Sequence, residues 1–431
     1  MGLAEVRDAL GDRMRHAVVS LRDQWRPVVL PTIILWILAT YVVVALLKPF
    51  DVTEYQTYAH AALRSPLLHH LPKEYPAPAL AIFLLPLLLP FGYQLSFAVL
   101  VGIVLVLLAM SYHTSGVPGM DFSSAGRLIA YLAFGEVMVL SGRYDIFAVA
   151  AAFWALRAAR RQQWSAAWTW SSIGFLLKLF PAVLWPVFLI AEWRQNGRIP
   201  LKRLYWVVGS GIVLVGLPAL FNPDAIKNVA DYYLHRPPEI GSLAAGLSLV
   251  DQHGWRVVST FHSVNVVSPL VGALATALEA AGAIGCAWSW WMLARGRLPV
   301  EAACLASVTF LVLGTKVGSV QYLMWLMPFW ALYRLRFTWV VACIVNSVVF
   351  PFAVSTLRFG YENAKAFAIT LILTYTVRDL LIAAGTWLCL REILRERNQP
   401  PGQTRAMRPL SQYRRVVTAV GLGKRSSYPK K

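Results

Sequence analysis

Charge is what this sequence has least of. Asp, Glu, Lys and Arg make up 14% of its 431 residues, while 58% are hydrophobic, at a mean hydropathy of +0.56. Soluble domains carry about 25% charged residues, so a water-soluble globular chain is excluded. Acids are the scarcer sign, 21 against 40 Lys and Arg, for a net charge of +19. No stacking or groove-reading module accompanies that excess, which sets nucleic acid aside. Cysteine is limited to Cys286, Cys304, Cys343 and Cys389, all inside apolar segments and without metal-ligand spacing, so they read as small core residues. A glycine-rich phosphate loop, a signal-peptide cleavage site and an internal repeat are missing too. The first apolar segment is therefore read as a signal anchor that stays on the chain.

What the sequence has in quantity is apolar runs near 20 residues long, which predict an all-α, polytopic transmembrane helical bundle of about 10–12 hydrophobic segments. The first runs from Val28 to Leu47. Others cover 79–91, 94–112, 127–141, 146–159, 165–190, 203–221, 264–293, 298–314, 320–333, 338–357 and 366–390. Before them, residues 1–27 carry apolar residues at helical spacing between arginines, as in an amphipathic helix on the cytoplasmic face. After them, residues 391–431 form a basic cytoplasmic tail, with eleven Lys and Arg against two Glu. Residues 28–390 are left as one transmembrane domain.

Basic clusters at Arg157–Arg161, Arg194–Arg203, Arg295–Arg297, Arg334–Arg336 and the tail mark the inside, with both termini cytoplasmic. Four segments then separate the external loop after Leu47 from the internal Arg157 cluster, where an odd number of crossings is required. Segment 79–91 is short and interrupted by Pro86 and Pro90, so it reads as re-entrant. Segment 165–190 begins and ends at inside clusters and carries Lys178 and Pro181 near its middle, so it reads as two broken half-helices.

On this topology the polar residues hardest to explain by packing gather on the external side: Asp51, Glu54, Arg143, Asp145, Lys178, His262, Lys316, Gln321, Tyr322 and Arg358. Arg143 and Asp145 could also simply pair with each other. A carboxylate beside several cations at a membrane–water boundary suits one chemistry: Arg and Lys hold a lipid-linked phosphate while the carboxylate takes a proton from an attacking hydroxyl. A transporter or lipid flippase could also place charges at this depth, but no two halves of the chain mirror each other.

The pattern Asp51, Tyr58-Ala59, then Glu74-Tyr75-Pro76-Ala77-Pro78 resembles the GT-C glycosyltransferases. Within them it is most similar to the bacterial polyprenol-phosphate-mannose-dependent mannosyltransferases of glycosyltransferase family 87. Leu177-Lys178-Leu179-Phe180-Pro181 resembles that family's Lys-x-x-Pro segment, and Ser319-Val320-Gln321-Tyr322 its Ser-x-Gln-Tyr element. Ala77 departs from the usual second proline, and Asp51 and Glu54 do not form an Asp-x-Asp pair.

The resemblance implies a GT-C bundle in the cell membrane that transfers a hexose, with mannose first, from a polyprenyl-phosphate donor. The acceptor is the hydroxyl of a glycolipid or lipid-linked glycan, the anomeric centre is inverted, and the reaction runs on the periplasmic face in the service of the cell envelope. It implies Asp51 as base with Glu54 as its rival, and Arg143, Lys178, Lys316 and Arg358 as phosphate binders. His262, Gln321, Tyr322 and Tyr75 complete the substrate-binding set. No metal ligands are assigned, and a divalent cation stays open as a cofactor.

Overall fold

The computed structural model describes residues 25–47, 50–64, 71–113, 120–251, 254–359 and 365–398. The expected amphipathic segment up to residue 24, most of the basic tail and the side chain of Arg358 lie outside them.

The fold is an all-α bundle. The first helix, α1 (Leu30–Tyr41), is continued by wider turns at both ends, and α2 (Phe50–Ala62) follows at once. The next segment is broken: a tight turn at Ala77–Ala79, α3 (Leu80–Leu84) and a second tight turn at Leu85–Leu88. Pro78 and Pro86 deny it helical N–H donors, which is why it never becomes a span. Then come α4 (Tyr93–His113), α5 (Phe122–Gly135) and α6 (Asp145–Arg160).

Helix α6 is the axis of the bundle. Its alanines 148, 150, 151, 152, 155, 158 and 159 are buried on every side, and small residues let neighbouring backbones approach closely. α7 (Trp164–Leu177) packs along it and stops at Lys178, whose backbone is extended (φ −154°, ψ 135°). A tight turn at Phe180–Leu184, opened by Pro181, leads into α8 (Trp185–Asn196), which ends at the left-handed Gly197 (φ 69°). The segment read as two half-helices is thus two helices meeting at Lys178.

Beyond α9 (Leu204–Phe221) and α10 (Asp224–His235) lies short α11 (Leu243–Ser248). An antiparallel hairpin, β1 (Arg256–Thr260) and β2 (Ser263–Val267), follows. Sequence reading had no strand here; Val257, Val258, Val264, Val266 and Val267 are the β-branched residues that favour one. The bundle closes with α12 (Pro269–Ala294), α13 (Val300–Gly314), α14 (Tyr322–Trp330), α15 (Phe337–Phe359) and α16 (Lys365–Asn398). α14 is buried from Leu323 to Trp330 and is about 13 Å long, a core helix rather than a span.

Five helices among the described residues are long and apolar enough to cross a membrane: Pro27–Val44, Tyr93–Tyr112, Leu201–Phe221, Pro269–Ala294 and Ala366–Asn398. Their outer faces expose Ile34, Ile37, Ile103, Val208, Ile212, Ile284, Leu380 and Trp387. Apolar surface spread over so many helices is a face for lipid. The chain is a membrane protein.

Candidate active site

One end of the bundle collects the polar groups. Helix α2 buries Val52, Tyr55, Ala59 and Ala62, a helical stripe that turns Asp51 and Glu54 toward the site. Tyr55 stacks on Phe83 at 4.5 Å and meets Tyr144 edge-on at 5.6 Å; Tyr75 sits edge-on to Tyr144 at 5.2 Å. This aromatic cluster pins α2, the Glu74–Pro78 loop and the start of α6 together.

Arg143 and Asp145 do not pair with each other. The Arg143 Nη1 lies 2.5 Å from Asp51 Oδ1, and the Lys178 Nζ lies 2.8 Å from Asp145 Oδ1. Asp145 also accepts from the Trp325 indole at 2.8 Å, and Lys178 lies over the Tyr144 ring at 4.7 Å. Residues two apart at the start of a helix diverge, so each charge finds its partner on another element. Asp51 keeps the most open carboxylate of the site, 25% exposed, against 14% for Glu54 and 13% for Glu74.

A second cluster lies one turn along α2. His262 Nδ1 is 3.2 Å from Glu54 Oε1 and 3.4 Å from Glu74 Oε1. Burial pushes the Glu54 carboxyl above its usual range; His262 draws it back and Asp51 adds to the rise. Burial, with Glu54 beside it, pushes Glu74 up to about 7. His262 is presented by the two-residue turn of the β1–β2 hairpin, where Phe261 (φ 55°) and His262 (φ 54°) are both left-handed. That turn normally takes Asn and Gly, so the hairpin holds His262 in place against a local backbone cost.

The third part is a loop cradle. Glu239 accepts from Ser319 Oγ at 2.8 Å and from Arg236 at 3.4 Å, and its amide donates to the Lys316 carbonyl at 2.9 Å. The Lys316 ammonium bonds the Leu234 carbonyl at 3.3 Å. Gly241 and Gly318 cross so closely that a Cβ on either would strike the other's backbone. Arg378, from the middle of α16, donates to both glycine carbonyls at 3.0 and 3.1 Å. Tyr322 stacks on Trp325 at 4.0 Å, and Gln321, half-buried, precedes α14.

Of the residues singled out in the sequence, Asp51, Glu54, Tyr75, Arg143, Lys178, His262 and Tyr322 meet through these contacts. Lys316 turns into the cradle rather than onto an acid. Glu74, Arg236 and Glu239 were not assigned from sequence. Glu74 stood inside a quoted motif, and Arg236 was a lone cation before Pro237-Pro238, the one signal that could have marked it.

The sequence model of glycosyltransferase family 87 matches residues 74–315, more than half of the chain. The match begins at Glu74, so Asp51 and Glu54 lie before it and Lys316, Gln321 and Tyr322 after it. Among proteins of curated function none matches.

Proposed function

The chain belongs to glycosyltransferase family 87 and is a glycosyltransferase; from that premise we propose that its donor is a polyprenyl-phosphate sugar, mannose first. The acceptor is a hydroxyl of a glycolipid or lipid-linked glycan. The Asp51–Arg143 pair is the observation that carries this reading. It sets a proton acceptor and a phosphate-binding cation within one hydrogen bond of each other.

The acceptor oxygen attacks the anomeric carbon from the face opposite the phosphate, and its proton passes to Asp51. The bond from that carbon to the phosphate oxygen breaks, and the electron pair leaves on the phosphate. Arg143 and Lys178 stabilise that charge, with Lys316 and Arg358 as further phosphate binders. The anomeric centre is inverted. Glu54, His262, Gln321, Tyr322 and Tyr75 shape the sugar and acceptor subsites.

The 28–390 bundle is the catalytic domain, spans the cell membrane several times and opens its site to the periplasmic face. The N-terminal segment and the basic tail stay cytoplasmic. The separation of Lys and Arg clusters from the site supports this orientation. Lys227→Cys and Arg198→Cys, both at exposed positions, should label differently in intact cells: the first at once, the second only after permeabilisation. The four native cysteines are buried and give little background.

The activity test uses purified protein, a polyprenyl-phosphate sugar and a membrane lipid extract. A new glycolipid that disappears with Asp51→Asn supports the reading. If Asp51→Asn keeps its turnover and Glu54→Gln loses it, the base is Glu54. If no sugar moves from the polyprenyl donor, the donor assignment fails.

A further inference from the structure

We infer that Glu54, Glu74 and His262 form a binding site for a divalent transition-metal ion. The three come from separate elements: helix α2, the loop before Pro76 and the hairpin turn. One ligand atom from each lies within 4.8 Å of the other two. The two edges at His262 Nδ1 measure 3.2 and 3.4 Å. A tetrahedral ion with bonds of about 2.0–2.1 Å separates its ligands by about 3.3–3.4 Å, so the nitrogen already stands at coordination distance from both carboxylates.

A proton fits this geometry less well than a metal. Nδ1 carries one hydrogen at most, while two carboxylate oxygens converge on it. The arginines whose charge reaches these carboxylates, Arg143 for Glu54 and Arg236 for Glu74, make their hydrogen bonds to other groups: Arg143 to Asp51, and Arg236 to Glu239, Ser263 and the Tyr232 hydroxyl. Two half-buried carboxylates that meet on one imidazole nitrogen form a ligand set that a divalent cation can hold together.

The surroundings hold the ligands as a metal site requires. The Tyr233 hydroxyl donates to the Glu74 carbonyl at 3.0 Å, which fixes the backbone of that ligand. Tyr75 and Phe83 pack on Tyr55 beneath α2 and lock its register. His262 is 59% exposed, so the open side of the site faces out of the bundle. Two carboxylates and one imidazole are a borderline-hard set suited to Zn²⁺ or Mn²⁺, and three protein ligands leave a position for an external oxygen. On the transferase reading that oxygen belongs to the donor phosphate; the metal site itself does not depend on that reading.

The test measures metal without activity. The full chain in detergent is stripped with chelator and titrated with Zn²⁺ against a chromophoric chelator, and separately with Co²⁺, whose visible absorption is strong when four-coordinate. About one equivalent is expected, weakened roughly 100-fold or more by His262→Ala and by Glu74→Gln. His235→Ala, on an exposed histidine of α10, should leave it unchanged. Should His262→Ala lose its monodisperse profile, His262→Gln serves in its place. Zn²⁺ binding that survives these changes, or falls equally with His235→Ala, overturns the site, as does binding well below one equivalent. Glycosyl transfer is assayed separately, so inactive protein that still binds metal counts against the donor reading alone.

Discussion

Two acid–base pairs at opposite ends of the bundle look alike in the sequence and differ in the fold. Away from the site, Glu192 and Arg203 are closed on themselves. The guanidinium bonds both carboxylate oxygens at 3.1–3.2 Å and the Ser165 hydroxyl at 3.0 Å, and the Trp168 indole donates to Glu192 at 3.2 Å. At the site, Asp51 and Arg143 share one contact and stay 25% and 17% exposed. A pair bonded through both carboxylate oxygens and all three guanidinium nitrogens is built to hold structure. A pair with unspent donors and acceptors at a solvent edge can exchange partners with a substrate.

The contrast predicts that Asp51→Asn costs function and leaves the fold alone. Turnover should fall roughly 10²–10⁴-fold with little change in Tm. An equal loss of Tm would make the pair structural and erase the distinction. Glu192→Ala should do the reverse: about 3–5 kcal/mol of stability lost through the stranded Arg203, with kcat per folded molecule unchanged. Thermal denaturation beside an active-fraction assay separates the two.

Lys178 stands between these extremes, because it is 16% exposed yet tied to Asp145 and laid on an aromatic ring. Lys178→Met should raise the donor KM about 10-fold and also lower Tm, since among the described residues Asp145 would keep the Trp325 indole alone. An unchanged KM in folded protein would move Lys178 to the structural class. The smallest effect concerns the left-handed turns. Gln162 (φ 63°) is exposed at the bend between α6 and α7, and Gln162→Gly should gain about 1 kcal/mol or less with activity intact. Phe261→Gly gives up the ring contact with Tyr232 at 5.3 Å and loosens the His262 turn, so any gain there should come with weaker substrate binding.

The break at Lys178 was legible because a proline and a basic residue inside a segment too short for two crossings leave few alternatives. So was the interruption at 79–91. The Arg143 partner was not: nearness in sequence suggested Asp145, whereas the fold offers Asp51 from α2. Glu74 and His262 were beyond sequence reasoning as a pair, because a valine-rich hairpin inside a long connection carries one to the other.

Composition and apolar run length by themselves determined that this chain is a membrane-embedded helical bundle, since a bilayer accepts few other ways of satisfying the backbone. The short motifs determined which residues were worth watching. Tertiary structure alone decided who meets whom. Ion pairing and ligand geometry act over about 3–4 Å, and which side chains come that close depends on helix packing and turn conformation contributed by elements far apart in the chain.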